Sequence, residues 1–550
     1  MATTEDGWEN SDDVGTGREP GSGAAGRPSM PSRAASVLLE GRPLVGFVAV
    51  LLTTGGHTMN LRELGVSRGW VAAEVYVLQS CYLFCLALTM LACPTLGRGW
   101  SARRVMLWGL VLAMLGPVLN VVEIWEPLLD SLAGRALAGV GAGMVIYFAP
   151  NLLGPQWEGP LAWSVILCPV VGPGVISAAT MTYESSDWQH GFIFEGAIAA
   201  IGLLVLWSTA GTPESRSRSP RGSLAYFPGL VVASASLVYV LHWGQLHGWM
   251  EGPDITAATA LGAAAAVVSL YLAWPQLDWR ILGENWVRLA LFFFGGVCQF
   301  FHAYIMNVYG GTMVNLSSWQ RAWLIWPLPI GIATSLFAAA LLIPHLRRRR
   351  GRVVLGLPVA IVGLLLLSAG LDACYRCMME WPYWSIRDVV DLNWFSAPGQ
   401  WELAPGRFLM GTGIGLFMAA MDAQFSPDPE REEVVRPFLN VVQFIGGGIA
   451  AAVLINFMII GHKVHYSYSA DRDTIQAEEL SQRGDLLTDV LRQAGQDAPE
   501  QSSQLLMYRF VNYEADNLMF ATIFAAFLLA ALVVVGFFSG LWIWRGLHRT

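Results

Sequence analysis

Charged residues are scarce in this sequence. Only 13% of the 550 residues are Asp, Glu, Lys or Arg, whereas an ordinary soluble domain has about 25%. So little charge cannot cover the surface of water-soluble globules of this total size, and 54% of the residues are hydrophobic. The same balance excludes an intrinsically disordered protein, which is rich in charge and poor in apolar residues. The composition therefore indicates a protein that crosses a membrane many times.

The sequence also lacks the motifs of nucleotide-dependent proteins. It has neither a G-x-G-x-x-G segment after a strand nor a G-x-x-x-x-G-K-[ST] loop, so ATP is not the expected energy source and no cofactor is predicted. The net charge is -8 and no basic surface dominates, so nucleic acid is not an expected partner. Residues 1–42 contain no cleavable signal pattern and are predicted to be a disordered cytoplasmic tail.

Disulfide and metal frameworks are equally poorly supported. Of the seven cysteines, only Cys374 and Cys377 are spaced to pair, as C-x-x-C, and two free thiols are the alternative. His462 and His465 form an H-x-x-H pair, but a metal needs further ligands, so no metal site is predicted.

Apolar runs of about 20 residues, the length that crosses a hydrocarbon core of about 30 Å, are the main feature of the sequence. They are unbroken rather than alternating, which is typical of transmembrane helices and not of a β-barrel. The predicted fold class is an all-α polytopic membrane protein with fourteen transmembrane helices. The predicted spans are 43–61, 70–93, 104–122, 127–150, 160–183, 190–210, 227–245, 254–274, 288–310, 320–343, 353–371, 404–424, 437–460 and 517–543.

Arginine residues distinguish the two sides of the predicted membrane domain. The loops on one side carry most of them, including the run Arg347–Arg350, and arginine-rich short loops face the cytoplasm. Both termini are then cytoplasmic, and the polar segment 461–516 lies outside, where spaced leucines predict a short helix. Lys463 is the single lysine, and this preference for arginine indicates a GC-rich bacterial genome. The predicted location is the bacterial cytoplasmic (inner) membrane.

A motif in the fourth span is repeated in the twelfth. G-R-A-L-A-G-V-G-A-G, from Gly134 to Gly143, and G-R-F-L-M-G-T-G-I-G, from Gly406 to Gly415, are identical at six of ten positions. Two related six-helix bundles are a common architecture of secondary transporters, although glycines of this spacing also simply let membrane helices pack closely. The predicted domains are the tail 1–42, a first bundle 43–210, a linker 211–287 with two inserted helices, a second bundle 288–543 that includes 461–516, and a cytoplasmic tail 544–550.

These motifs resemble the major facilitator superfamily, and specifically its fourteen-helix drug:proton antiporter family of the EmrB/QacA type. Arg135 matches the arginine of that family's helix-4 motif R-x-x-Q-G-x-G-A-G. Gly172 and Pro173 match the start of its antiporter motif in helix 5, and Trp188 and Phe192 match its W-x-x-x-F entry to helix 6. The resemblance covers about 43–543 and predicts the major facilitator fold.

The sequence also departs from that family. Gly99 stands where the loop after helix 2 usually has aspartate, helix 1 has no acidic residue, and Glu195 stands where asparagine is usual. This chain would therefore be a divergent member.

The resemblance implies proton-coupled export of hydrophobic or amphiphilic small molecules by alternating access, powered by the proton gradient. It also implies the lipid bilayer as surroundings and, outside, a periplasmic adaptor and an outer-membrane channel as partners. Two alternatives stay open at this point. One is an uncoupled facilitator or importer of a small metabolite. The other is a polytopic membrane enzyme that uses Asp422, His302 or the loop 371–402, which the internal repeat disfavours.

A proton-coupled exporter needs a buried titratable group, and few such groups lie within the spans. In the first bundle, we predict that Glu74 or His57 exchanges the proton while Arg135 biases its protonation. In the second bundle, Arg407 repeats Arg135 and His302 lies as deep as His57.

Each of these residues also has a purely structural interpretation, as a wetted interfacial group, a packing anchor or a satisfied polar side chain. Glu195 is expected to be structural, because the sixth helix usually packs outside the cavity. Gly172 and Pro173 are predicted to bend helix 5 as a gating motif.

Overall fold

The computed structural model describes residues 41–547 apart from 57, 97–99, 123, 154–156, 181–187, 209–223, 277–278, 315, 317, 348, 381–397, 426–428 and 476. His57 and nearly all of the predicted tail 1–42 lie outside these residues, as does most of the loop 371–402. The side chain of Asp422 is likewise outside the description.

The described chain is built from α-helices, as the apolar runs predict. The first half contains α1 (Arg42–Gly56), α2 (Thr58–Arg68), α3 (Ala72–Leu96), α4 (Ala102–Val121), α5 (Pro127–Phe148), α6 (Glu158–Thr180) and α7 (Trp188–Trp207). Next come α8 (Phe227–Trp243) and α9 (Pro253–Ala273). The second half contains α10 (Trp279–Thr312), α11 (Ser318–Ile325), α12 (Pro327–Arg347), α13 (Arg349–Glu380), α14 (Gln400–Phe425), α15 (Pro429–Ile475), α16 (Ala477–Gln493) and α17 (Pro499–Leu547).

Among the described residues, ten helices are long and apolar enough to cross a membrane. Four shorter apolar helical segments, Arg42–Thr54, Trp163–Ile176, Phe227–Trp243 and Trp323–Ala339, accompany them. Each predicted span falls on one of these segments, and the all-α, multi-pass fold class is confirmed. The count of fourteen crossing helices stays a prediction, because four of the segments are short.

Helix ends differ from the predicted limits at the segment 461–516. Instead of ending near the membrane, α15 and α17 continue as helices to Ile475 and from Pro499, and α16 joins them. A search for apolar runs finds only the apolar part of a helix. Ala, Glu, Gln and Arg have high helix propensity and can continue the helix beyond that part. The predicted short helix is confirmed as α16, whose Leu487 is buried and whose Gly484 carbonyl accepts a hydrogen bond from Ser503 Oγ at 3.0 Å.

The two halves of the repeat pack their helices in the same pairs. In the first half α5 packs on α3 and α4, α1 on α6, and α4 on α7. In the second half α14 packs on α12 and α13, α10 on α15, and α13 on α17. The halves meet where α3 packs on α15 and α6 on α11. The sequence repeat is therefore also a packing repeat, while the predicted domain limits stay a prediction.

The repeated glycines are sites of close helix approach. A Cβ on Gly139 would meet the carbonyl oxygen of Tyr82 on α3, and one on Gly411, four residues after Arg407, would meet the equivalent backbone of Leu328 on α12. Only glycine allows such contacts. The packing interpretation therefore accounts for the glycines of the motif and leaves its arginine to be explained.

The inserted helices dock where the two halves meet. α8 packs on α9, and it also touches α3 of the first half and α15 of the second. The buried His242 Nε2 lies 2.9 Å from Ser80 Oγ on α3, and Asn456 Nδ2 on α15 donates to the Leu241 carbonyl at 2.6 Å. The insertion is thus tied to both halves.

Candidate functional site

A buried ion pair joins α5 and α7 in the first half. Arg135 Nη1 donates to Glu195 Oε2 at 2.9 Å, and both side chains are 0% exposed. Both helices pack on α4, which brings the two residues together although 60 positions separate them. The guanidinium carbon of Arg135 also lies 4.5 Å from the ring centroid of Phe192, one turn before Glu195 on α7.

This pair can exist in two protonation states. With both groups ionised, each charge compensates the other in surroundings where a lone charge is very unfavourable. A proton arriving on Glu195 would neutralise the carboxylate and leave the Arg135 charge without its counterion. The arrangement can therefore convert a proton-binding event into a change of interactions between α5 and α7.

Other polar side chains of the first half lie beside the pair. Tyr82 on α3 is buried, shares a 2.9 Å hydrogen bond with Thr54 Oγ1 on α1, and lies within electrostatic range of both Glu195 and Arg135. Gln79 Nε2 donates to the Thr54 carbonyl at 3.2 Å. A polar layer thus extends from α1 through α3 to the ion pair.

The second half places the repeated arginine in different surroundings. Arg407 on α14 is fully buried, and among the described residues its Nε, Nη1 and Nη2 atoms have no hydrogen-bond partner. His302 on α10 is also fully buried, and neither of its ring nitrogens has a partner within that part of the chain. The charge of Arg407 acts on His302 and on Cys374 of α13. The motif is repeated, but its counter-charge is not.

Polar contacts between the halves lie at two levels. At the predicted outer end, Arg321 on α11, fully buried, forms an ion pair with Glu63 on α2. Deeper, Ser80 Oγ on α3 donates to the carbonyl of Gly448 on α15 at 2.9 Å.

A second deep contact follows from a proline in α6. Because Pro169 has no N–H, the carbonyl of Val165 loses its helical partner. Gln299 Nε2 from α10 approaches that carbonyl at 3.4 Å and the Ile166 carbonyl at 2.5 Å. Gln443 on α15 donates to Gln299 Oε1 at 2.7 Å, which holds the amide in place.

The predicted site residues fall in different places. Glu74 lies at the start of α3, half-buried, and its Oε2 accepts from the Val71 N–H at 2.9 Å as a helix cap. The described ion pair of Arg135 is with Glu195, whereas the described contact of Glu74 is this cap; the role of Glu74 in proton exchange stays a prediction. His57 lies outside the described residues.

The predicted gating motif is buried within a continuous helix. Gly172 and Pro173 lie inside α6, and a Cβ on the neighbouring Gly174 would come within 2.9 Å of Trp326 between α11 and α12. The motif therefore lies at a contact between the two halves. Its role in gating stays a prediction.

Sequence reasoning missed the partner role of Glu195, although a signal was present. A carboxylate in an apolar helix needs a counter-charge, and so does an arginine in an apolar helix. Glu195 and Arg135 both lie within predicted spans of the same bundle. Glu63 lies just outside a predicted span and Arg321 at the start of another, and their pairing was missed because nothing in one sequence indicates which span ends touch.

The described residues also line an open cavity of about 290 Å³ at the predicted outer end. It lies between α3, α10, α15 and α17, and its lining includes Tyr76, Met458, Lys463 and the pair of His462 Nδ1 and Asp516 Oδ1 at 2.8 Å. Its walls are mostly apolar, as suits a hydrophobic ligand.

The cysteines and histidines singled out in the sequence have other contacts. Cys374 and Cys377 lie one turn apart on α13 and are not joined by a disulfide, so the open question of their pairing is answered against the bond. His465 Nε2 bonds to Thr522 Oγ1 at 2.9 Å. The part of the chain that the structure describes contains no group of three potential metal ligands.

Curated proteins similar to this chain include a resistance protein and a drug efflux pump. The methylenomycin A resistance protein of Streptomyces coelicolor is 24% identical over 397 residues, which cover 67% of this chain and 75% of the relative. The drug efflux pump JefA of Mycobacterium tuberculosis is 20% identical over 329 residues, 53% of this chain and 63% of the pump. No family model matches the sequence.

Solved structures with the same fold are membrane transporters. An auto-inhibited peptide transporter of the POT family aligns over 91% of this chain and 96% of its own, with a TM-score of 0.51 and 15% identity. A POT family transporter in complex with 5-aminolevulinic acid aligns over 90% and 96%, with a TM-score of 0.53 and 12% identity. At such identities the likeness establishes the fold alone.

Proposed function

We propose that this protein, which has the major facilitator fold and is a divergent secondary transporter of that type, exports hydrophobic or amphiphilic small molecules in exchange for protons. The names of the curated relatives, a resistance protein and an efflux pump, support export. The observation that carries proton coupling is the fully buried pair of Arg135 and Glu195, because it gives the first half a carboxylate whose protonation changes helix contacts.

In the proposed cycle, Glu195 binds the proton, and the contact with Arg135 determines when it can do so. The carboxylate stays ionised while Arg135 is held against it, and protonation releases the guanidinium to neighbouring polar groups. Tyr82 lies within electrostatic range of both charges, and we propose it as a polar group that interacts with the released guanidinium. We retain Glu74 and His57 as candidates for delivering the proton, because the predicted spans place both toward the outer side.

Alternating access then requires the contacts between the halves to break and reform. The ion pair of Glu63 and Arg321 closes the outer end, and the Ser80 and Gln299 contacts lie deeper. Gly172 and Pro173 lie in α6, which carries the freed carbonyl that Gln299 meets. We therefore assign α6 the role of gating helix and the outer ion pair the role of latch.

The test uses the full chain in proteoliposomes with an imposed pH gradient and three dyes: cationic ethidium, neutral phenylnaphthylamine and anionic naphthylacetate. Wild type should move at least one dye against its gradient, and a protonophore should abolish that movement. Glu195→Gln should still exchange dye across the membrane but should no longer respond to the gradient. Glu514→Gln, on the outer part of α17, is the matched control and should behave as wild type.

Uncoupled transport is the alternative outcome of the same experiment. If every dye equilibrates across the membrane at a rate that is independent of the pH gradient, the protein is a facilitator and proton coupling is wrong. Concentration of a dye in the import direction would overturn export.

We place the protein in the bacterial cytoplasmic (inner) membrane with both termini in the cytoplasm, from the arginine bias of the loops. On that orientation, the hairpin of α15, α16 and α17 projects outward and is the surface we propose for a periplasmic adaptor linked to an outer-membrane channel. Crosslinking from a cysteine at the exposed Asp497 in intact cells would test it. Crosslinks to a periplasmic protein support the partner, and a cysteine that reacts only from the cytoplasmic side contradicts the orientation.

A further inference from the structure

We infer that Arg407, together with His302, binds an anionic group of the transported molecule, a carboxylate or a group of similar shape and charge. The inference rests on the proposed transport function, because the ligand is taken to be cargo. It names a substrate class, amphiphiles that carry a negative charge.

The first argument is the state of the Arg407 side chain. It is 0% exposed, and its three guanidinium nitrogens have no hydrogen-bond partner among the described residues. Arginine stays protonated in proteins, so the buried charge calls for an anion. The planar guanidinium presents paired N–H groups that match the two oxygens of a carboxylate.

The internal repeat supplies a control within the same chain. Arg135 occupies the same motif position, and there Glu195 on α7 meets the guanidinium at 2.9 Å. α17 takes the place of α7 in the second half, since it packs on α13 as α7 packs on α4. The apolar part of α17, residues 517–543, contains no aspartate or glutamate, and its buried Phe520 and Phe524 are aromatic. The second half therefore repeats the cation but has no acidic residue in the apolar part of the corresponding helix.

The surroundings of Arg407 suit one end of a small amphiphile. His302 on the facing helix α10 has two unpartnered ring nitrogens within the described residues, and it lies within the electrostatic range of Arg407. Next to His302 along α10 are the buried Phe301 and Tyr304, which offer apolar surface. Arg407 is seven residues into α14 and His302 ten residues from the end of α10, which puts both about 10–15 Å below the outer helix ends. That depth is where secondary transporters bind substrates, near the midplane.

The charges of the neighbouring helices agree with this assignment. Tyr309 Oη donates to the Pro398 carbonyl at 2.8 Å and Cys374 is a free buried thiol, so neither neutralises the arginine. The site thus has one fixed positive charge, a histidine donor and an apolar flank. An anionic amphiphile satisfies all three, whereas a cationic one would meet charge repulsion.

Two sources could supply the anion, the cargo itself or an inorganic ion such as chloride or phosphate. The test measures binding to the purified full chain in detergent without any pH gradient, by quenching of tryptophan fluorescence. The probes are naphthylacetate, dodecanoate and their neutral amides, each titrated in sodium gluconate, in sodium chloride and in sodium phosphate. We expect the acids to bind at least tenfold more tightly than the amides.

Three variants complete the design. Arg407→Gln should weaken binding of the acids by about 10- to 100-fold and leave the amides unchanged. Arg407→Lys keeps the charge but loses the paired donors, so it should bind acids with intermediate affinity; it also decides the question if Arg407→Gln does not fold. Arg376→Gln, which removes an exposed arginine from α13, is the charge-matched control and should bind as wild type.

The outcomes are separable. Acids that bind no better than amides, or equal affinity in wild type and both Arg407 variants, would overturn the site. If chloride or phosphate stabilises the protein through Arg407 and the acids do not compete, the anion is an inorganic ion and the cargo assignment is wrong. Acid binding that depends on Arg407 in a protein that shows no gradient-driven transport would uphold the site and overturn the proposed coupling.

Discussion

Replacing Glu195 by glutamine tests the reasoning about the buried ion pair most sharply. The change removes one negative charge, keeps the side-chain volume nearly constant, and takes the Glu195 carboxylate away from the Arg135 charge, which is buried at 0% exposure. Removing one partner of a buried pair costs about 3–5 kcal/mol. The amide oxygen can still accept the 2.9 Å hydrogen bond of Arg135 Nη1, so we expect a loss near the lower end, about 3 kcal/mol.

A double-mutant cycle separates the charge from the contact. Arg135→Gln should be destabilising by a similar amount, because it leaves the carboxylate alone. The double variant Arg135→Gln/Glu195→Gln carries no charge at this pair, and it should be more stable than either single variant, since replacing both partners approaches neutrality. Thermal unfolding midpoints in one detergent give the ranking.

The functional side of the same prediction is proton release on ligand binding. In weakly buffered detergent solution acidic enough to protonate Glu195, a transported ligand should displace a proton from wild type and none from Glu195→Gln, as read by a pH-sensitive dye. Glu514→Gln, the control on the outer part of α17, should release the proton as wild type does. Undiminished proton release from Glu195→Gln, or a double variant less stable than both singles, would refute the two-state account of this pair.

Three further predictions concern packing, the latch and the thiols. Gly139→Ala places a Cβ against the α3 backbone and should destabilise the protein by about 1–3 kcal/mol, whereas Gly536→Ala, with nothing within 4 Å, should not; equal unfolding midpoints would contradict the close approach. Glu63→Gln weakens the outer latch and should speed the labelling of Thr312→Cys in the outer cavity by a membrane-impermeant maleimide several-fold; an unchanged rate would show that the pair does not hold that end closed. Alkylation of the unfolded protein without reductant should modify all seven cysteines, as measured by mass spectrometry. A mass that corresponds to only five modified cysteines would reveal a disulfide.

The positions of the helices could be predicted from the sequence because a membrane-crossing helix must be apolar for about 20 residues. The repeat was visible for a similar reason, since close helix approach permits only small residues at Gly139 and Gly411. These features are local in the sequence. Each depends on a run or a motif of fewer than about 25 residues, so neither needs knowledge of the tertiary contacts.

The partners of the buried charges could not be predicted in this way. Arg135 faces Glu195 and not Glu74 because of how each helix is rotated about its axis. That rotation cannot be determined from a single sequence. The polar extensions of α15 and α17 were missed because hydrophobicity ends at the membrane surface while helix propensity does not. Pro169 in the sequence indicates that a carbonyl in α6 lacks its helical donor. Only the fold identifies Gln299 as the side chain that donates there.

Proton-coupled export is the central claim, and transport against a gradient tests it most directly. A pH gradient would be imposed across the membrane of proteoliposomes that contain the full chain, in the direction that drives export. Naphthylacetate is the probe and a protonophore is the control. We predict accumulation against the probe's own gradient that the protonophore abolishes and that Glu195→Gln does not support. Equal probe concentrations on both sides, reached with or without the pH gradient, would contradict the account.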